Sequence, residues 1–538
     1  MRTNIILCLL TAAALTLAFP PFRWGFLAYL ALVPFFFLLR GKSFAETFRW
    51  SYLCGLLASI GTVYWINWVT LPGGIAAIVV LPLYFCIYGL LHHVVHRQLG
   101  EVASVAIPFL WTGVEFLRSL GEVGFPWTLL AYTQTHYLKL IQFASLTSVF
   151  GVSFWVASIN VVAYRLVLSR RNWKAVAVCA ATLVLLFVLP WWYGHRVMAR
   201  EKTPERTVRV ALVQGNIDPL RKWDHELKEF NFATYERLTG AAMADSPEVI
   251  IWPETATPCY LRHEPEDLAR VRRLVDSLNV PLLTGTPDYT YDFAAGFATY
   301  NSAFLLLPHR EELQHYAKMQ LVPFGERVPY QDVFPFSLVK RALDALELGE
   351  GNWSPGREPV VFVLPVARGS AGQGGPEVRF SVPICYESVF PDLVHRFVVR
   401  GAEMLVVITN DGWFGRPSLP RWLCGGMYQH ARMAIFRAIE NRIAIARCAN
   451  TGISAFVDPY GRMLQATDIF TEAGVAETVP LRCEETFYSR HGNVFTVVVS
   501  ALGAASAMVS PLLGRRGARR HHGATQVASP VEREKGAS

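Results

Sequence analysis

Apolar and polar positions alternate on two length scales along this chain. Near 4–20, 24–40, 50–70, 73–95, 102–120, 147–168, 174–193 and again 493–513, apolar residues run on far enough to cross or nearly cross a bilayer. Arg2 ahead of the first run is also how a secretory signal begins. A signal is followed by a polar mature chain, and here Trp24–Leu39 is apolar again, so the first run reads as a retained membrane helix. Between about 206 and 485 the scale shortens. Strand-like runs VRVALVQG, EVIIWPE, VPLLTGTP, TYNSAFLLL, VRFSVPIC and EMLVVITN are separated by helix-like stretches, clearest at Glu226–Met243, Leu268–Leu278 and Tyr428–Asn441. RIAIARCAN and GISAFVDPYG read as a hairpin, and Gly-rich 367–377 as a surface loop. The pattern predicts an α-helical membrane bundle of about eight spans joined to an α/β domain. Residues 1–200 supply about seven helices, 206–485 the domain, 493–513 the last helix and 514–538 a disordered basic tail. No internal repeat is visible.

Composition agrees with this division. Of 538 residues, 52% are hydrophobic and 17% charged, against about 25% charged in soluble domains; mean hydropathy is +0.28. The basic residues sit between spans. Arg40, Lys42 and Arg49 follow the second, Arg97 the fourth with His92, His93 and His96 nearby, Arg165, Arg170, Arg171 and Lys174 the sixth, and Arg515, Arg516, Arg519 and Arg520 the last. By the positive-inside rule both termini lie in the cytoplasm and the α/β domain outside it. The net charge of +8 is thus largely topological, and no continuous basic stripe points to nucleic acid. Of nine cysteines, Cys259, Cys385, Cys424, Cys448 and Cys483 fall in the α/β domain. Five is an odd number, and their spacing matches no zinc site, so at least one thiol is expected to stay free.

Cys385 ends the apolar run Phe380–Ile384 and is followed at once by Tyr386 and Glu387. A buried cysteine is most often a small core residue, but a strand end with polar residues beyond is also where a nucleophile is delivered. Glu254, after VIIWP, emerges from an apolar strand, where partial desolvation suits a carboxylate for proton transfer. Lys318 precedes the proline-constrained MQLVPFGERVP, a setting for a fixed ammonium rather than a solvated one. A thiol, a carboxylate and an amine at strand ends are the parts of covalent acyl transfer.

The order WPE, K-x-x-L-V-P-F-G-E and C-Y-E resembles the nitrilase (carbon–nitrogen hydrolase) superfamily. The eight-span layout, VQGNI followed by Trp223, YNS at Tyr300–Ser302, LVPFGERVP and NDGWFG bring it nearer one membrane branch, the bacterial apolipoprotein N-acyltransferases. The resemblance covers nearly the whole chain. It implies an αββα sandwich for the domain, with Glu254 as general base and acid, Lys318 as oxyanion stabiliser and Cys385 as nucleophile. It implies Glu326, Glu387 and Tyr386 as supporting residues, and Trp223, Asn301 and Trp413 at the substrate pocket. The implied reaction moves an acyl chain from a phospholipid, through a thioester on Cys385, to the α-amine of a diacylglyceryl-modified N-terminal cysteine of an apolipoprotein. It needs no metal or cofactor and works as a monomer at the periplasmic face of the bacterial inner membrane. The competing readings are a membrane-tethered nitrilase-type amidase, which would pass the thioester to water, and a transporter with a degenerate binding domain. The transporter would be favoured by charges inside spans, chiefly Glu115 and Arg118 here.

Overall fold

The computed structural model describes residues 1–292, 296–345, 352–365, 377–482 and 484–525. Cys483, most of the 367–377 loop and residues 526–538 therefore lie outside the described residues. The first 200 residues are mainly helical. Among the described residues, three helical stretches are long and apolar enough to cross a membrane: Leu71–Leu117, Ala144–Leu168 and Trp173–Ala199. Arg2–Ala18, Gly25–Leu39 and Val494–Ser510 are shorter apolar helices. The predicted third span begins earlier than its hydropathy suggested, as helix Phe44–Val63. Ser43 and Glu46 cap it reciprocally, the Ser43 hydroxyl accepting from the Glu46 N–H and the Glu46 carboxylate from the Ser43 N–H. The final helix is Val494–Thr525.

The α/β domain holds two six-stranded sheets. Strands β1 (Thr207–Gln214), β2 (Val249–Ile251), β3 (Leu282–Asp292), β4 (Gly296–Leu306) and β5 (Leu313–Ala317) belong to the first. Strands β6 (Phe362–Leu364), β7 (Val378–Ser381), β8 (Met404–Thr409), β9 (Ala444–Ala449), β10 (Ala455–Val457) and β11 (Met463–Leu464) form the second, and β12 (Ala473–Pro480) returns to the first. The orders are β12-β1-β2-β3-β4-β5 and β6-β7-β8-β9-β10-β11. Each has three parallel strands flanked by one antiparallel strand on one side and two on the other. The repeat absent from the sequence is thus present in the topology. The hairpin β9–β10 forms as predicted. Strands β5, β6, β11 and β12 escaped the sequence reading. Each is an edge strand or a very short one, where one side faces water and no apolar run is required.

Alternation along β1 sorts the layers. Val208, Val210 and Leu212 share a core with Met404 and Val406 of β8. Ala211 and Val213 instead join Phe232, Tyr235, Val271 and Val275 of helices Lys228–Ala242 and Pro265–Leu278. The second sheet is covered by helices Pro391–Val399 and Gly425–Asn441, whose Phe397, Ile435 and Ile439 share one continuous core with Trp127, Tyr132 and Phe150 of the N-terminal region. The result is an αββα sandwich seated on the helical region.

Polar links lock that seat. The Gln429 amide oxygen accepts from the indole N–H of Trp65 (3.1 Å) and Trp127 (2.9 Å), and its nitrogen donates to the carbonyls of Pro20 and Thr62. Helix Ala144–Leu168 breaks at Ser148 (φ 62°), and the Val149 N–H beyond the break donates to Glu440 at 2.7 Å. Replacing Gln429 by Leu is expected to cost about 2–5 kcal/mol, since it strands two buried indole donors and two carbonyls. Thermal unfolding in detergent measures this, and an unchanged midpoint would show that the hub carries no stability.

Candidate active site

The candidate residues converge where strands of both sheets end. Past β2, Trp252 is buried with its indole N–H on the Thr239 hydroxyl, which fixes the turn carrying Glu254. Gly285 of β3 lies under that turn. A Cβ there would come within 2.5 Å of the Thr255 nitrogen and 2.7 Å of the Glu254 Cα, so only glycine lets the strand approach. Past β5, the Lys318 N–H donates to the Asn301 carbonyl (2.8 Å) and extends the β4–β5 ladder. Past β7, Cys385 opens a 3-10 turn, Cys385–Val389, in the left-handed region at φ 50°. A non-glycine residue there carries strain of order 1–2 kcal/mol.

The Lys318 ammonium is fully buried, 2.7 Å from Glu326 Oε1 and 3.5 Å from Glu254 Oε1. Asn301 Nδ2 donates to both carboxylates, at 2.8 Å to Glu254 and 3.3 Å to Glu326. The second oxygen of Glu254 accepts from the Asn410 N–H at 2.9 Å, and that of Glu326 from the Val322 N–H at 2.8 Å. Burial pulls the Lys318 ammonium down, but Glu326 and Glu254 outweigh burial and hold it well above the usual lysine range. Burial pushes the Cys385 thiol well up, Glu254 pushes the same way, and Lys318 pulls against them. At neutrality Cys385 is therefore a thiol, and its proton must be removed by a neighbouring base before it can attack.

Glu387 ties the thiol turn to the lysine segment. One oxygen accepts from the Tyr316 hydroxyl (2.6 Å) and the N–H groups of Met319 (2.7 Å) and Gln320 (3.1 Å); the other accepts from the Ile384 N–H (2.7 Å). Burial pushes its carboxyl up to about 7 against the pull of these hydrogen bonds and of Lys318. The Tyr386 hydroxyl leaves the α/β domain and donates to the Gly124 carbonyl at 2.7 Å. Glu254, Lys318, Cys385, Asn301, Glu326 and Glu387 are thus brought together, with Tyr386 linking them to the helical region. Trp223 is 48% exposed, and Trp413 is half-buried on the 3-10 turn Asp411–Phe414 after β8. No hydrogen bond or ion pair joins either to the three central residues.

Several neighbours were not singled out from sequence. Lys222, beside Trp223, is buried, its ammonium 3.1 Å from the Glu254 carbonyl and 2.5 Å from the Thr255 hydroxyl. Burial pulls it down to about 7, although the Glu254 charge opposes this. Asn410 and Asp411 lie in the NDGWFG motif, whose most conspicuous residue is its tryptophan. His430 and Arg447 carry no local signal, since only the fold places them under Cys385.

The chain matches the carbon–nitrogen hydrolase family over residues 209–486 and the apolipoprotein N-acyltransferase N-terminal domain over residues 11–162. It is similar to the apolipoprotein N-acyltransferase of Geobacter metallireducens, 35% identical over 536 residues and 97% of each chain. It is equally similar to that of Chlorobaculum tepidum, 35% identical over 510 residues, 91% of this chain and 92% of the other. Among solved structures, an amidase from Nesterenkonia sp. AN1 is 18% identical, with a TM-score of 0.35 over 51% of this chain and 91% of that one. The chain is thus a membrane-helix-bearing carbon–nitrogen hydrolase. Within that class it belongs to the apolipoprotein N-acyltransferase family.

Two expectations follow from the geometry. Glu387→Gln places an amide N–H₂ among four donors, and is expected to cost about 2–4 kcal/mol, read as a lowered unfolding midpoint with an intact helical far-UV spectrum; an unchanged midpoint removes Glu387 as the tie. Lys222 gives a pH signature. Its proton is held less tightly folded (about 7) than unfolded (10.5), so its burial cost is present in full below pH 7 and is relieved as pH rises from 7 towards 10.5. Wild type should therefore gain stability relative to Lys222→Met between pH 7 and 9. A difference that stays flat with pH contradicts this.

Proposed function

We propose that this protein transfers an acyl chain from a phospholipid to the α-amino group of the diacylglyceryl-modified N-terminal cysteine of an apolipoprotein, through a thioester on Cys385. The observation that carries the reading is the buried cluster of Lys318, Glu254, Glu326 and Asn301 beside Cys385, on a domain seated against apolar helices.

In the first half-reaction Glu254 takes the Sγ proton of Cys385. The thiolate attacks the ester carbonyl carbon, and the oxyanion is held by Lys318 and the Tyr386 N–H. Collapse breaks the carbon–oxygen bond, Glu254 returns the proton to the departing lysophospholipid, and the acyl group stays on Cys385. In the second half-reaction the acceptor amine attacks the thioester, the carbon–sulfur bond breaks, and the amine proton passes through Glu254 back to sulfur. Glu326 and Asn301 keep Lys318 charged and Glu254 aimed, and Glu387 keeps the lysine segment and the thiol turn in register. Trp223 and Trp413, on more open surface, are assigned to substrate contact.

The protein carries eight membrane spans with both termini in the cytoplasm, placing the catalytic domain at the periplasmic face of the inner membrane as a monomer. There both lipid-anchored substrates reach the site without extraction from the bilayer, which would cost about 0.8 kcal/mol per CH₂. The amidase alternative shares the catalytic chemistry but gives the helical region no purpose. The buried charge that favoured a transporter has a structural use: Glu115 accepts from the Trp111 indole and the Leu130 N–H.

Intact mass spectrometry after incubation with phospholipid tests the reading. Wild type should gain a hydroxylamine-labile acyl mass that a diacylated lipopeptide discharges, and Cys385→Ala should gain none. Discharge by water alone points to the amidase, and no adduct on wild type removes Cys385 as the acylated nucleophile. Lys318→Met should slow adduct formation by about 10²–10³-fold.

A further inference from the structure

Beneath the Cys385 turn lies a second buried polar cluster, to which the chemistry above assigns nothing. His430, on helix Gly425–Asn441, is almost completely buried. Its Nδ1 lies 2.8 Å from Asp411 Oδ1, and its Nε2 lies 3.2 Å from the Cys385 carbonyl oxygen and 3.1 Å from Ser388 Oγ. The Ser388 hydroxyl donates to the same Cys385 carbonyl at 2.7 Å. Asp411 is held in turn by the Thr409 hydroxyl (2.9 Å) and by Arg447 Nη2 (2.8 Å), and Arg447 is anchored through Nη1 on the Ile453 carbonyl at 2.6 Å. Trp127 and Phe414 pack against the imidazole, with ring centroids at 5.1 and 6.0 Å. Nδ1 lies between the Asp411 carboxylate and Arg447 Nη2, the latter at 3.1 Å, whereas Nε2 faces the Cys385 carbonyl, an acceptor to which it is placed to donate.

The object of this arrangement is a carbonyl, not the thiol. In a planar trans peptide the C=O of one residue and the N–H of the next point in opposite directions. Two donors that pin the Cys385 carbonyl therefore also aim the Tyr386 N–H away from them, and that N–H is the backbone oxyanion donor of the mechanism above. Cys385 sits at φ 50°, where a relaxed residue would rotate this plane, so an external clamp is needed. We propose that His430, held by Asp411 and Arg447 and assisted by Ser388, is a positioning residue that fixes the Cys385–Tyr386 peptide plane and so orients the oxyanion donor.

The inference rests on the acyl-transfer reading, and its test separates the two. Cys385 can be acylated by phospholipid, which passes through an oxyanion, or alkylated by iodoacetamide, which needs the thiolate but forms no oxyanion. In His430→Leu, acyl-enzyme formation should slow by about 10–100-fold, comparable to misplacing one oxyanion donor. Alkylation should keep its wild-type rate, and KM for phospholipid should be unchanged. His430→Gln, which can still donate to the Cys385 carbonyl, should recover part of the loss. Ser388→Ala removes a single oxygen and should show the same divergence more mildly; it carries the test alone if the His430 variants do not fold. Acylation and alkylation falling together, or neither falling, overturns the inference. A wild type that alkylates but never acylates sinks the acyl-transfer reading, and the inference with it.

Discussion

A charged ammonium removed from water is tolerable only when carboxylates replace the water, and Lys318 imposes that requirement on everything around it. It is met by Glu326 at 2.7 Å and Glu254 at 3.5 Å, and these two carboxylates are kept from drifting apart by the single amide of Asn301. The strand order follows the same demand. Glu254 ends a central strand of one sheet, Cys385 a central strand of the other, and Lys318 is carried in on the edge strand β5. Removing Lys318 leaves two carboxylates side by side without their cation, which costs more than the pair itself contributes.

Two consecutive residues of helix Gly425–Asn441 show how the membrane region and the site share one framework. Gln429 is bonded to two tryptophans and two carbonyls of the N-terminal region, while His430 faces the turn of Cys385. Tyr386 makes the reverse connection, from the thiol turn to the Gly124 carbonyl. Both links are polar and buried, so each has one satisfactory arrangement and resists sliding.

What could be read from the sequence divides along physical lines. Buried central strands carry continuous apolar runs, so β1, β3, β4 and β8 announced themselves, as did the residues at the ends of such runs, Glu254 and Cys385. Edge strands β5 and β12 are half wet and patternless, and the topological repeat between the sheets leaves no trace because it lies in connectivity rather than residue identity. Lys222 was legible only as a neighbour of Trp223, and its burial overturns the ordinary expectation for a lysine. His430 and Arg447 could not be found by spacing at all, since His430 meets the Cys385 carbonyl across 45 positions of chain and Arg447 meets Asp411 across 36, through the order of strands. Hydropathy alone suggests about eight spans, and among the described residues three helical stretches meet the length and apolarity of a crossing.

The break at Ser148 deserves a different reading from that of a helix defect. The freed Val149 N–H is completed by Glu440, which belongs to the α/β domain nearly three hundred residues later. The same Glu440 carboxylate also pairs with Arg437 of its own helix, so the bond to Val149 ties the break into a buried ion pair of the other part. The two parts are thus separate as stretches of sequence but interdependent as folding units. A ribosome must deliver residue 440 before the helix ending at 168 can settle its last hydrogen bond, so maturation of the bundle is completed from its far side, after the catalytic half has been made.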